Sequence, residues 1–498
     1  MYITASNLYD YLQCKHRVWR DKHGPMDERN DEPNPFIELL WERGLNHEKE
    51  IVGNISKYLE IEGANWAEKF KNTKRAMNEG VELIYQGVII ADNLLGIPDL
   101  LRKTPNGYVA IDIKSGRGRE GSDEEGDEGS MKKHYAVQLC LYTDVLIRLE
   151  YQTERKAYII DINGEEHEYD LTEKFGPKSP SAWELYENTK EEVGALILNK
   201  KQNKPALSSV CSLCRWYESC KKWCQVNHDL SMLFNLGMSK RDVIVEDLEI
   251  STVEELGNVD IAKAIEQKNK FKILKGIAEK TLTEFKHRAN IKKPELKEGV
   301  DFPKVSKELF FDIEDDPTQE FVYLHGVYER SSDGSKRFIP FVAKGHTKTA
   351  EKEAWAEFWD YIRALPKGDF SVYYYSHHEK TIYKKLRKLY PDVISETELE
   401  AFFNNPNVID LYLDVVRGKT EWPLSSYGIK AIATYLGFKW RDESPSGALS
   451  IKWYNDYLKT KDEKILKRIL EYNEDDCIAT MIVKDKIEEI ARTPTNSV

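Results

Sequence analysis

The run NLLGIPDLLRKTPNGYVAIDIKSG (93–116) is the most telling in the chain. Two short β-rich segments flank Pro105-Asn106-Gly107, a strong turn signal. With VELIYQGVII (81–90) before them, they predict a three-stranded meander. Asp112 and Lys114 stand two apart, so on a strand both side chains leave one face. Asp99 falls on the neighbouring strand of that meander. A helix is expected over roughly 132–149, with Tyr135, Gln138 and Tyr142 at helical spacing. Upstream, residues 1–30 read as one helix starting near Ser6, and 36–60 as a second carrying Gly44 and His47. Residues 151–205 read as a strand pair and a helix. The expectation is an α/β domain.

One carboxylate from each strand is suited to hold a divalent ion, with Lys114 facing the same phosphate to stabilise transition-state charge or orient water. His47 adds a neutral nitrogen, which suits Mn²⁺ better than Mg²⁺. An isolated Asp-x-Lys is explained equally well by a surface salt bridge. The full set is more specific: Gly-x₂-His, Pro-Asp, Asp-x-Lys, then Gln-x₃-Tyr on a helix. Over roughly residues 1–225 the chain resembles the PD-(D/E)xK nucleases of the RecB and AddB kind, especially the small iron–sulfur nucleases of CRISPR adaptation. The resemblance implies a restriction-endonuclease-like fold in which His47, Asp99, Asp112 and Lys114 are metal and catalytic residues. It also implies that Gln138 and Tyr142 line the site and contact the substrate strand.

Cys211, Cys214, Cys220 and Cys224 form C-x₂-C-x₅-C-x₃-C. Four local thiolates would close a zinc site; alternatively Cys211, Cys214 and Cys220 join the distant Cys14 around a 4Fe–4S cluster. The same resemblance implies the second arrangement, with Cys14 as the N-terminal ligand and Cys224 left over. Cys140 and Cys477 fall in helical patterns and read as buried small apolar residues.

A second acidic constellation follows near the C-terminus. ELFFDIE puts Asp312 and Glu314 on one face of a strand, and Tyr472 and Asp476 are four apart on a helix. Converging carboxylates with a tyrosine to position water are what two-metal phosphoryl chemistry needs. The predicted order is β-β-β-α-β-α. Over roughly 305–492 this resembles the DEDD exonucleases of the RNase H-like fold, more closely the YprB-like subgroup. The resemblance implies Asp312, Glu314 and Asp476 as metal ligands and Tyr472 as the water-positioning group. The chain departs at the second motif, where Tyr375-Ser-His-His-Glu379 offers Glu379 in place of an aspartate. Asp410 is a further acidic residue, read as structural. His377 and His378 read as hydrogen-bonding residues rather than ligands, and the aromatic residues of EWPLSSYG and IKWYNDYL as core.

The 498 residues predict a PD-(D/E)xK domain over 1–225, a helical helix-hairpin-helix-like connector over 226–300 and an RNase H-like domain over 301–498. A net charge of −12 argues against a protein that coats nucleic acid nonspecifically, but metal sites need carboxylates. The stretches 200–204 and 268–293 are locally basic, and 117–130 reads as an acidic, Gly-rich loop placed where a gate could sit. The composition, the lack of a membrane-length apolar run and the clustered cysteines predict a cytoplasmic protein with no membrane partner. No Gly-x₄-Gly-Lys-Ser/Thr occurs, so a helicase or other repair or defence protein would act in trans. The leading expectation is a Mn²⁺- or Mg²⁺-dependent DNA nuclease preferring single strands or ends. The rivals are a nucleic-acid-binding scaffold with a degenerate C-terminal domain, and an RNA-processing nuclease.

Overall fold

The computed structural model describes residues 1–498 except 33, 121–129, 318, 444–445 and 493–498. Most of the acidic 117–130 segment, and with it the gating expectation, lies outside the described residues. The chain divides into two compact units, 1–205 with 209–223 and 206–208 with 224–498.

The first unit opens with α1 (Ala5–Gln13) and α2 (Lys15–His23). One helix was expected here. The break falls at Cys14, whose extended backbone ends one helix and begins the next. Thr4 starts α1 through a capping box with Asn7. Next come α3 (Pro35–Gly53), β1 (Leu59–Glu60), β2 (Leu83–Tyr85), β3 (Ile89–Ala91), β4 (Leu94–Gly96), β5 (Leu100–Thr104) and β6 (Gly107–Ile113). They are followed by α4 (Lys133–Arg148), β7 (Lys156–Ile160), β8 (Glu166–Asp170) and α5 (Ala182–Ile197).

The expected three-stranded meander is five short strands divided between two sheets. β3 pairs with β4, and β4 also with Ile3–Thr4, while β2, β5 and β6 lie in a six-stranded sheet of order β8-β7-β6-β5-β2-β1. The turn at Gly107 demands glycine: φ is +118°, and a Cβ there would meet Tyr151 O. β6 is buried on both faces from Tyr108 to Ile113, as a central strand covered on each side must be. α4 supplies much of that cover through Ala136, Val137, Leu139, Cys140, Leu141 and Val145.

The second unit begins with a helical segment that includes α6 (Gly237–Leu248), α7 (Ile261–Phe271) and α8 (Glu279–Asn290), packed around Ile244, Leu256, Leu274, Leu282 and Phe285. The mixed α/β part then runs β9 (Lys307–Asp316), β10 (Phe321–Ser331), β11 (Lys336–Val342), α9 (Lys348–Arg363), β12 (Phe370–Tyr374), α10 (His378–Leu389), β13 (Val408–Asp410), α11 (Ile429–Tyr435), α12 (Gly447–Thr460) and α13 (Glu463–Arg492). Its sheet has the order β11-β10-β9-β12-β13, the first three strands antiparallel and the last two parallel to β9.

The two-residue period of β9 sorts its side chains. Leu309, Phe311 and Ile313 enter the core under α9 with Trp355, Phe358 and Trp359. Phe310 enters the opposite core, where α13 contributes Cys477, Val483 and Ile487. Asp312 and Glu314 share the parity of Phe310, and so face α13. No helix among the described residues is long and apolar enough to cross a membrane.

Candidate active sites

In the first unit, antiparallel pairing of Leu100 with Ile111 puts Asp99 opposite Asp112. Asp99 lies in the bend just before β5 rather than on a strand, and Lys114 just past the end of β6. The backbone N–H of Ile113 donates to Asp99 Oδ2 at 2.7 Å, which ties the bend to the strand end. Burial, then the neighbouring Asp112, pushes the Asp99 carboxyl well above its ordinary range. Asp112 is only 2% exposed, and Lys114 Nζ lies 2.8 Å from its Oδ2. Burial works against the Lys114 ammonium, but the charges of Asp112 and Asp99 outweigh it and keep its pKa raised.

Tyr142, on α4, is buried, and its phenol is pushed up first by burial and then by Asp112 and Asp99. Gly96 permits this approach, since a Cβ there would stand 2.6 Å from Tyr142 Cδ1. Gln138 sits half-buried one turn earlier on α4.

His47, the expected third ligand, lies on α3. Its Nε2 lies 3.0 Å from the carbonyl oxygen of Asp161. Among the described residues, ligand atoms of His47, Asp99 and Asp112 do not all lie within 4.8 Å of one another. The charge of the next residue, Glu48, acts on Asp99, and Gln86 links the two: its Nε2 donates to Glu48 Oε1 at 2.8 Å and reaches Asp99 Oδ1 at 3.5 Å. Sequence reading missed Glu48 and Gln86, although Glu48 adjoins His47 in NHEKE (46–50).

Asp161, Glu165 and His167 do come within 4.8 Å of one another. That grouping is accounted for by a turn: Asp161 Oδ1 accepts from the N–H groups of Asn163 and Glu165, and His167 Nε2 lies 3.0 Å from Oδ2.

Cys14, Cys211, Cys214 and Cys220 lie in the first unit within electrostatic reach of one another. Burial raises the Cys14 thiol, with Cys211 and Cys214 adding to the rise. Burial also pushes Cys220 up to about 12, opposed by Arg20 and reinforced by Cys214, Cys14 and Cys211. Among the described residues no three of these thiols converge within 4.8 Å, so they do not present a closed single-ion cage. Cys224 is buried in the second unit, with its Sγ 3.8 Å from Ser231 Oγ. Cys140 and Cys477 are fully buried.

The second site is tighter. Ligand atoms of Asp312, Glu314 and Asp476 all lie within 4.8 Å of one another. α13 reaches the sheet because β10 carries Gly326 directly opposite Asp312. A Cβ at Gly326 would fall 1.6 Å from Asn473 Oδ1. The amide of Asn473 lies over that gap and donates through Nδ2 to Asp312 Oδ2 at 2.7 Å and to Glu314 Oε1 at 3.4 Å. Trp440 Nε1 donates to Asp476 Oδ1 at 2.7 Å, and Tyr323 hydroxyl to Glu314 Oε2 at 3.4 Å.

Collecting these carboxylates in a buried pocket makes their ionisation costly. Asp312 is pushed well up by burial and then by Asp476, Glu314 and Glu379. Glu314 is pushed up to about 8 by burial and Asp476. Burial raises Asp476 too. Such a pocket suits a divalent cation, which would relieve the mutual repulsion of its carboxylates.

Glu379 begins α10, is buried, and accepts from Ser376 Oγ at 3.1 Å. Burial pushes it up to about 7. Its charge acts on Asp312, although it stands outside the tight triad. Tyr472 is buried one turn before Asp476, and its hydroxyl hydrogen-bonds that carboxylate. His378 Nε2 lies 2.8 Å from Asp315 Oδ1, and Asp410 accepts from the Leu413 N–H to cap the turn that follows. Trp422, Tyr427, Trp453 and Tyr454 are buried. Sequence reading missed Asn473, Trp440 and Gly326; the asparagine sits inside the motif YNEDD (472–476).

Comparison with known families agrees with this geometry. Residues 8–221 match the family model of the PD-(D/E)XK nuclease superfamily, and residues 309–488 match that of the RNase H superfamily. No curated protein matches the chain. The protein therefore carries a PD-(D/E)XK nuclease domain in its N-terminal part and an RNase H-like domain in its C-terminal part.

Proposed function

We propose that the protein is a divalent-metal-dependent nuclease with two hydrolytic sites, acting on DNA and preferring single strands or ends. The observation that carries the reading is the buried convergence of Asp312, Glu314 and Asp476 in a domain of a nuclease superfamily. Bound Mg²⁺ or Mn²⁺ would supply Lewis acidity and a water acidified for attack on phosphorus. Asp312, Glu314 and Asp476 are the ligand set, Glu379 provides a further carboxylate beside Asp312, and Tyr472 orients the attacking water.

At the first site Asp99 and Asp112 are the metal-holding pair. Lys114 stabilises charge on the phosphate as the bond breaks. Gln138 and Tyr142 line the strand's path. His47 is assigned as a third ligand on the resemblance of its motif, and Glu48 competes for that role by its position beside Asp99. The domain bounds 1–225, 226–300 and 301–498 belong to the same reading, as do the RecB/AddB-like and YprB-like affiliations.

Cys14, Cys211, Cys214 and Cys220 are assigned to a 4Fe–4S cluster. This rests on thiolate chemistry, on the mutual reach of the four thiols and on the motif resemblance. Anaerobic purification tests it. A brown protein whose visible absorption disappears in Cys14→Ser is expected; a colourless protein containing zinc would refute the cluster.

Digestion of end-labelled strands tests the nuclease reading. Asp312→Ala should erase end-dependent digestion, and Lys114→Ala should remove the first site's cutting while binding persists. Equal digestion of DNA and RNA would replace DNA with nucleic acid of either kind.

A further inference from the structure

A cation that no motif assigns stands beside the second site. Lys430, the second residue of α11, donates from Nζ to the Tyr472 hydroxyl oxygen at 2.9 Å. Its ammonium also lies 4.9 Å from the centre of the Tyr472 ring.

The element that carries it is firmly held. Ile432 and Ala433 of α11 are buried in the core with Cys477 of α13. Just upstream, the Tyr427 hydroxyl donates to Glu421 at 2.6 Å and accepts from the Trp422 N–H at 2.9 Å. Phe234 stacks on the Tyr427 ring at 3.7 Å, and Tyr375 hydroxyl donates to the Tyr427 carbonyl at 2.7 Å. Lys430 therefore projects from a fixed helix start rather than from a loose loop.

An ammonium has donors only, whereas a phenol has one hydrogen to give and lone pairs to accept with. When Lys430 donates to Tyr472, the phenolic hydrogen has to point elsewhere. The Asp476 carboxylate, one turn along α13 from Tyr472, is the acceptor beside it. The same ammonium, held 2.9 Å from the Tyr472 hydroxyl, places a positive charge that acts on the carboxylates of Asp312, Glu314 and Asp476.

We propose that Lys430 is a positioning residue of the second site: it fixes the direction in which Tyr472 presents its hydroxyl hydrogen and supplies the pocket's internal countercharge. This rests on the reading of the second site as a metal-dependent nuclease centre. If Asp476 held a metal ion, the hydrogen that Lys430 cannot accept would be free to reach the nucleophilic water or the phosphate.

The test uses the full-length chain carrying Lys114→Ala, so that the first site is silent. Lys430→Met, close in size but uncharged, should lower kcat for end-labelled single strands by at least about tenfold with KM little changed. Lys430→Arg, again a cationic donor without acceptors, should restore most of it. Mn²⁺ titration of the same proteins gives a readout independent of turnover, the second site being identified as the binding lost in Asp312→Asn.

Removing a positive charge should tighten Mn²⁺ binding several-fold in Lys430→Met, whereas a merely structural lysine would loosen it or leave it unchanged. A parental kcat in Lys430→Met overturns the proposal, as does unchanged or weaker Mn²⁺ binding. If the parent digests nothing, the nuclease reading of this site falls, and the Mn²⁺ titration alone decides whether Lys430 is the pocket's countercharge.

Discussion

The two sites solve one electrostatic problem by opposite means. At the first, the fully buried Asp112 meets its cation two residues along the same chain segment, and the pair Asp112–Lys114 is balanced before any metal arrives. At the second, carboxylates converge from β9 and α13, Glu379 of α10 adds its charge, and a cation beside them comes from α11. A local pair can be read from a short motif. A pocket assembled from four elements depends on packing, on a missing Cβ at Gly326 above all.

The largest effects should separate the sites by activity. Asp312→Asn should lower end-dependent digestion by at least about a hundredfold while leaving cutting by the first site intact, and Lys114→Ala should do the converse. Product ladders from labelled strands distinguish the two; a variant that loses both activities at once would mean that they are not independent.

Gly326→Ala should come next. A methyl group in the space occupied by the Asn473 amide must push α13 from the sheet, at a cost of about 3 kcal/mol. Thermal melting should show the loss, and Mn²⁺ binding at the second site should weaken with it. Parental behaviour would show that close approach of α13 to β10 at Gly326 does not hold the second site together. Asn473→Leu keeps the bulk but removes the amide donor to Asp312 and Glu314, and should weaken Mn²⁺ binding by about tenfold. A variant with native affinity would reduce Asn473 to filler.

The smallest expected effect concerns pH. Glu314 at about 8 and Glu379 at about 7 are raised above the ordinary glutamate range, so the folded, metal-free protein favours their protonated forms. Raised folded-state values contribute stability that is fully present below the unfolded pKa and lost as pH rises through the folded one. The metal-free protein should therefore lose this contribution between about pH 5 and 8, and Mn²⁺ should raise the melting temperature more at pH 8 than at pH 6. An Asp312→Asn chain should show a smaller pH dependence of that Mn²⁺ effect. An Mn²⁺ stabilisation independent of pH would argue against proton release from these carboxylates.

Much of this layout is legible in the sequence, for identifiable reasons. The period of two in ELFFDIE and of four in Tyr472–Asp476 directs the acidic residues to one face each, and the fold needs only to bring those faces together. The turn at 105–107 likewise announces the β5–β6 hairpin. What the local pattern hides is diversion and distance. β3 and β4 look like members of the meander, yet leave for another sheet, because pairing partners are set by tertiary packing. The break at Cys14 lies inside a run whose apolar spacing continues across it.

His47 and Glu48 are neighbours on one helix, and which of them approaches Asp99 depends on the rotation of α3, to which sequence spacing is blind. Asn473, Trp440 and Lys430 act through hydrogen bonds from distant segments and bear no motif of their own.

On the proposed reading, two carboxylate pockets in one chain would each hydrolyse phosphodiesters with a divalent cation. The most direct test of that reading is Mn²⁺-dependent digestion of end-labelled single- and double-stranded DNA and RNA by the parent, Lys114→Ala, Asp312→Ala and the double variant. Two distinct product patterns, one lost in each single variant and both lost in the double, are expected. Undiminished digestion by the double variant would contradict the account.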